Sequence, residues 1–169
     1  MKQRKDRIIL PLVAVALGTN LGDREGHLQA AVKELKSILK HPVFSRIYSS
    51  EPVGYLEQPW FLNQVCVGES SELPLALLAK FKTLEKARGR VDGPRFGPRP
   101  LDLDLLFYDQ WVMDSAILTL PHPRMLERSF VMRPLLELLP AWADPRSGAH
   151  LHTVWAENKD RLTPCIPQT

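Results

Sequence analysis

Six consecutive apolar residues, Leu12 to Leu17, run straight into Gly18. Apolar side chains at every position of so short a segment suit a β-strand buried on both faces. A chain that contains such a strand has to build a sheet around it. Asp23 is a good helix cap. After it Leu28, Ala31, Val32, Leu35, Ile38 and Leu39 recur at three- and four-residue steps, which predicts a helix of about four turns. Val43 to Ser50 reads as a strand, Glu51 to Pro59 as a loop containing Pro52, Gly54 and Pro59, and Phe61 to Gly68 as a strand again. A second amphipathic helix carries Leu77, Leu78, Phe81 and Leu84 on one face and stops at Gly89. Arg88 to Pro100 reads as loop and Leu101 to Tyr108 as an alternating strand. A short strand is expected over Ala116 to Leu120 and a helix over Val131 to Leu139. The order β-α-β-β-α-β predicts an α+β fold, a ferredoxin-like α/β sandwich with a largely antiparallel sheet and helices packed on one face. A single domain is expected over 1–169, with 1–10 a polar lead-in and 141–169 an irregular C-terminal extension holding a short helix near Val154 to Asn158.

The chain has 169 residues, 44% of them hydrophobic and 24% charged, which is the profile of a soluble globular protein. At that length roughly two-thirds of the unfolded surface is buried on folding, so a core forms without disulfides or structural metal. No run of about 18 apolar residues is present, and no membrane span is expected. The basic start, Met1 to Arg7, and Ala14-Val15-Ala16 mimic a secretory signal, but the apolar stretch Ile8 to Val13 is short and broken by Pro11. Cys66 and Cys165 make neither a disulfide framework nor a C-x-x-C metal pair, which points to a reducing, cytoplasmic setting. A net charge of +3 is too mild to argue for a nucleic-acid partner.

The sharpest local signal is Leu101-Asp102-Leu103-Asp104-Leu105. On a strand the two aspartates share one face and the three leucines the other. Adjacent like charges repel, so something positive must sit between them or the face must be open to water. Mg²⁺ takes one or two carboxylates together with substrate phosphates, and Asp102 and Asp104 are candidate ligands of that kind. Directly before them lies Arg88-Gly-Arg-Val-Asp-Gly-Pro-Arg-Phe-Gly-Pro-Arg99, which reads either as a basic surface loop or as a loop that closes on phosphates. Phe61 and Asn63 fall on one strand face, where a ring and an amide can stack on a flat heterocycle and bond its edge. In Leu118 to Phe130, Thr119, His122 and Arg128 could meet a nucleotide, although capping and packing serve His122 and Phe130 equally well. Gly18-Thr-Asn-Leu-Gly22 matches no phosphate-loop pattern and reads as a tight turn before Asp23.

Together these stretches resemble the 6-hydroxymethyl-7,8-dihydropterin pyrophosphokinase family of folate biosynthesis. The segments that carry the resemblance are Ala16 to Asp23, Tyr48 to Gly54, Gln58 to Asn63, Gly89-Arg-Val, Arg95 to Asp104 and Leu118 to Arg128. They run in family order from about residue 12 to about residue 140. The resemblance implies transfer of the β,γ-pyrophosphoryl group of ATP to a pterin hydroxymethyl group, with release of AMP. It implies two Mg²⁺ ions on Asp102 and Asp104, and Arg90 and Arg99 acting on the phosphates. Glu85, Arg95, Thr119, His122 and Arg128 match nucleotide-binding positions. Ser50, Val53, Phe61, Asn63, Phe96 and Phe130 match the pterin pocket. ATP and the pterin are the partners so implied, with no nucleic acid, no membrane and a monomeric chain. The sequence departs from the family pattern in the arginine loop. Phe96 stands where many members carry Trp, Pro100 replaces a commoner Thr, Asp92 adds an acid, and the loop is about a residue short. A competing reading, a nucleic-acid-binding module of the same fold, leaves the paired aspartates without a purpose. A third, a chain that binds these ligands without turnover, is not separated from the first by sequence.

Overall fold

A computed structural model of the chain describes residues 9–91 and 97–168. Strand β1 (Leu12–Thr19) is followed by helix α1 (Arg24–Ile38), strands β2 (Lys40–Phe44), β3 (Tyr48–Ser50) and β4 (Phe61–Glu69), and helix α2 (Pro74–Ala87). Then come β5 (Asp102–Tyr108), a small hairpin of β6 (Met113–Asp114) and β7 (Thr119–Leu120), helix α3 (Ser129–Leu138), helix α4 (Leu151–Asn158) and β8 (Cys165–Pro167). The main sheet has the order β5-β1-β4-β3-β8, and every pair in it is antiparallel. β2 pairs with the other half of β4, beyond β3.

The doubly buried strand is β1, where Val13, Ala14 and Val15 are fully buried. Val13, Val15 and Leu17 face α1 and α2, packing with Leu28, Ala31, Leu35, Leu77 and Phe81. Ala14 faces the other way, against Val131, Met132 and Leu135 of α3 and Leu151 of α4. On that second face Phe107 and Trp142 stack with ring centroids 4.9 Å apart. Truncating a ring such as Phe81 to Ala in a core of this kind costs about 3–5 kcal/mol.

The α+β sandwich is as expected, but helices cover both faces of the sheet and not one. Apolar residues at every position from Leu12 to Leu17 require that second layer. The strand expected over Val43 to Ser50 is two strands. Ser45 leaves the ladder to bond Val65 through both backbone and hydroxyl, and the chain then rejoins the same strand as β3. The short strand near 116–120 is Thr119–Leu120, paired with Met113–Asp114. The third helix starts at Ser129, two residues earlier than its apolar pattern suggests. Residues 141–169, expected to be irregular apart from the short helix, contain α4 and β8.

Candidate active site

The sheet register collects the polar signals on one face. Gly18 of β1 lies opposite Asn63 on one side and Asp102 on the other, and Ala16 lies opposite Asp104. Partners across an antiparallel ladder project to the same side. Asn63, Phe61, Asp102 and Asp104 therefore share the face that carries α3, and the two smallest side chains of β1 lie between them. A Cβ placed on Gly18 would stand 3.7 Å from Asn63 Oδ1, 3.8 Å from Phe61 and 3.9 Å from Asp102 Cβ. Glycine keeps the floor open.

Arg90 is delivered by the end of α2. Gly89 adopts a φ of 87°, its N–H bonds Lys86 O at 3.0 Å, and the Arg90 N–H bonds Glu85 O at 3.0 Å. That pair of bonds is the glycine stop that reverses a helix end. It turns the chain so that Arg90 Nη1 lies 2.7 Å from Glu85 Oε2 and 2.6 Å from Asp102 Oδ1. Glu85 is only 1% exposed and accepts the Leu103 N–H at 2.8 Å and Lys82 Nζ at 3.0 Å. Burial pushes its carboxyl above the ordinary value, against the pull of those donors.

Arg99 is fixed at the other end of the arginine loop. Its N–H donates to Asn20 Oδ1 at 2.8 Å, and the Asn20 N–H donates to Arg99 O at 3.1 Å. The Asn20 amide nitrogen donates to Gln58 Oε1 at 2.8 Å and Pro59 O at 3.0 Å, so one buried residue ties the exits of two loops together. Arg99 Nη1 then lies 3.1 Å from Asp102 Oδ2. Burial pushes the Asp102 carboxyl up, but Arg99 and Arg90 pull it further down, and the net result is below the usual carboxylate range. Asp104 faces Arg128 Nη1 at 3.6 Å and His122 Nε2 at 3.9 Å. Burial holds the imidazole below its ordinary value. Asp104 opposes this, while Arg128 and Arg124 add to it, and the net direction is down.

These groups line a cleft of about 390 Å³. Arg90, Arg99, Asp102, Asp104, His122, Arg128, Ser50, Val53, Phe61, Asn63 and Phe130, all expected from sequence, are on its wall. Glu85 lies beneath it and Thr119 sits on the hairpin strand β7, away from the lining. Arg95 and Phe96, also expected in the site, lie outside the described residues. Lys82, Glu51 and Arg124 line the cleft and were not read from sequence. Lys82 carried a usable signal, since it stands three residues before Glu85 on α2. Asn20 was read only as part of a turn.

Among the described residues cations outnumber carboxylates on the lining, Lys82, Arg90, Arg99, Arg124 and Arg128 against Glu51, Asp102 and Asp104. That balance suits a polyphosphate. Among the described residues no group of three or more His, Cys, Asp or Glu could hold a metal by itself. Two carboxylates side by side do fit Mg²⁺, which completes its shell with phosphate oxygens and water. The other end of the cleft has a different character. The Asn63 amide nitrogen donates to Ser50 Oγ at 2.9 Å and Tyr48 O at 3.3 Å. A carbonyl only accepts, so the amide oxygen is the atom left on the Gly18 side, and Asn63 offers a heterocycle an acceptor. Phe61 and Phe130 stand at the same end, and Arg128 lies 5.7 Å over the Phe130 ring.

A diacid beside arginines from two ends of one loop suits a metal-bound polyphosphate, and the ring and amide at the other end suit a flat heterocycle. The family model of 7,8-dihydro-6-hydroxymethylpterin-pyrophosphokinase matches residues 14–140. A 2-amino-4-hydroxy-6-hydroxymethyldihydropteridine pyrophosphokinase of Aquifex aeolicus is 38% identical over 154 residues, 91% of this chain and 96% of its own length. A mitochondrial folate synthesis bifunctional protein of Arabidopsis thaliana is 41% identical over 146 residues, 84% of this chain and 26% of its own. The chain thus spans about a quarter of the length of that plant relative. The solved structure of wild-type HPPK-DHPS from Plasmodium falciparum superposes with a TM-score of 0.73 at 12% identity, covering 93% of this chain and 46% of that one, a likeness of fold. The chain belongs to the 7,8-dihydro-6-hydroxymethylpterin-pyrophosphokinase family.

Proposed function

We propose that this chain transfers the β,γ-pyrophosphoryl group of ATP to the hydroxymethyl oxygen of 6-hydroxymethyl-7,8-dihydropterin. The bond from that oxygen to Pβ forms as the Pα–O–Pβ bridge breaks. AMP leaves with the bridging oxygen, and the hydroxyl proton passes to solvent. The observation that carries the reading is the register that sets Asp102 and Asp104 beside Asn63 and Phe61 across Gly18 and Ala16, so one cleft has a phosphate end and a heterocycle end.

Asp102 and Asp104 would hold two Mg²⁺ ions with the triphosphate. Bound there, Mg²⁺ neutralises phosphate charge and orients the chain for in-line displacement. Arg90 and Arg99 place guanidinium groups where charge develops on the transferred group, and Glu85 holds Arg90 in position. His122 and Arg128 bind the nucleotide; Thr119 and Arg95 are further nucleotide-binding positions on the family resemblance alone. Phe61 and Phe130 sandwich the pterin, Asn63 accepts from its edge, and Ser50 and Val53 complete the described part of the pocket; Phe96 is a pterin-binding position on the family resemblance alone. The reaction needs no strong side-chain base, and positioning and electrostatics supply most of the rate. A monomer acting as a single pyrophosphokinase domain is part of this reading. Among the described residues no helix is long and apolar enough to cross a membrane. Free, buried Cys66 and Cys165 support a reducing, cytoplasmic location.

The test is product analysis. The protein is incubated with ATP, Mg²⁺ and the pterin, and the nucleotides are separated. Pterin-dependent AMP is expected. Formation of ADP, or binding of both substrates without turnover, would overturn the reaction assigned here.

A further inference from the structure

The C-terminal segment runs along the outer edge of the sheet and touches both walls of the heterocycle end of the cleft. β8 pairs with β3, setting Cys165 opposite Ser50 and Pro167 opposite Tyr48. The Gln168 N–H adds a bond to Ile47 O at 2.8 Å. Without β8, the three residues of β3 would be a short edge strand. On the other side the Ser129 hydroxyl donates to the Thr163 carbonyl, and Arg133 Nη1 donates to the Cys165 carbonyl at 2.8 Å. Thr163, Val53, Ser129 and Phe130 also line a side cavity of about 140 Å³ next to the cleft.

These contacts end on residues that matter to the pocket. Ser50 and the Tyr48 carbonyl are the two groups that fix the Asn63 amide. Ser129 is the neighbour of Phe130 at the start of α3. The segment therefore joins the wall that orients the hydrogen-bonding amide to the wall that carries a stacking ring. The sheet order β5-β1-β4-β3-β8 puts it at the opposite edge from β5, which bears Asp102 and Asp104.

We propose that residues 163–168 are a strap that positions the pterin subsite, holding the Ser50–Asn63 wall and the Phe130 wall at the separation a flat heterocycle needs. The strap rests on the pterin reading of that end of the cleft. It acts through backbone pairing and through bonds to backbone carbonyls, so its side chains need not touch substrate. It leaves the phosphate end unchanged.

The experiment compares the full chain, a chain ending at Leu162, and the full chain carrying Arg133→Met. Each is tested for binding of a non-hydrolysable ATP analogue with Mg²⁺, then for binding of 6-hydroxymethyl-7,8-dihydropterin at saturating analogue, with a melting curve alongside. Truncation should weaken the pterin at least tenfold while the analogue stays within twofold. Arg133→Met should weaken the pterin about threefold in the same selective way. Equal weakening of both ligands, or undiminished pterin affinity in a folded truncated chain, would overturn the strap. Where the truncated chain does not fold, Arg133→Met decides by the same split. Failure of the unaltered chain to bind the pterin would instead overturn the underlying reading of the cleft, and the strap with it.

Discussion

Replacing Gly18 should separate folding from turnover. The residue is internal to β1, and a Cβ there would meet Asn63 Oδ1, Phe61 and Asp102 Cβ at 3.7 to 3.9 Å, ordinary van der Waals distances. Gly18→Ala therefore introduces no clash within the fold. Where the backbone accepts the new residue, such a change stabilises by about 0.4–1 kcal/mol through the unfolded chain. The melting temperature should stay level or rise. The added methyl, however, stands in the floor of the cleft, between the ring-and-amide end and the first aspartate. Forcing a substrate past a surplus methyl costs about 1–3 kcal/mol by analogy with overpacked cores, or roughly 5- to 150-fold in kcat/KM at 1.4 kcal/mol per decade. Gly18→Val goes further. Its Cβ is already at contact distance from three neighbours, so its γ-carbons project into the cleft, and the loss should be about 100-fold or more. The assay is AMP formation at varied ATP and pterin, with a melting curve for each variant. A folded Gly18→Val protein with kcat/KM within threefold of the parent would refute the argument, because no substrate could then approach that floor.

Four further outcomes are expected. Asp104→Ala removes a partly exposed carboxylate that no core contact requires, so turnover should fall by about 100-fold or more while the melting temperature moves little; near-normal turnover in the folded variant would sink the metal assignment. Arg99→Ala should lower kcat by about 100-fold and leave the pterin dissociation constant within about threefold, and equal losses would contradict a role confined to the transition state. Burial pushes the Glu137 carboxyl up, but the Tyr48 hydroxyl and Arg46 pull it below its ordinary 4.5. Its contribution to stability is thus present above that value and lost as the pH falls through the folded one, so Glu137→Gln should flatten the acid limb of a urea-midpoint-versus-pH profile, and an unchanged limb would show that the pair contributes nothing. Burial pushes the Cys66 thiol up to about 12, so native protein at pH 8 should resist a thiol reagent at this residue until denatured, as read by mass mapping of the label.

Much of the site was legible because its signals are local. Leucine-aspartate alternation at 101–105 identifies both a strand and the face that carries charge. Gly89 after an apolar helical stripe identifies the turn that delivers Arg90. The closing bonds, from Gly89 to Lys86 and from Arg90 to Glu85, span three and five residues, well within what one segment can encode. The second helical layer was missed, although no strand keeps Val13, Ala14 and Val15 all dry with one face uncovered. By contrast, the resemblance to a family, and not spacing, pointed to Glu85.

What stayed hidden depends on pairing between distant segments. Cys165-Ile-Pro167 has neither alternation nor a pure apolar run, and Pro164 and Pro167 argue against a strand. It becomes one because β3 offers it an open edge more than a hundred residues away in sequence. Asn20 has the same origin. Between Gly18 and Gly22 it reads as turn chemistry, yet its side chain reaches Arg99 on one side and Pro59 on the other. Both hidden elements hold in place something the sequence did reveal: Asn20 fixes the exit of the arginine loop, and β8 fixes the strand that orients Asn63. The groups that meet substrate need particular chemistry at particular spacing, and that leaves a trace in one segment. The groups that hold them need only a donor or an acceptor within reach in the folded chain, and reach is a property of topology.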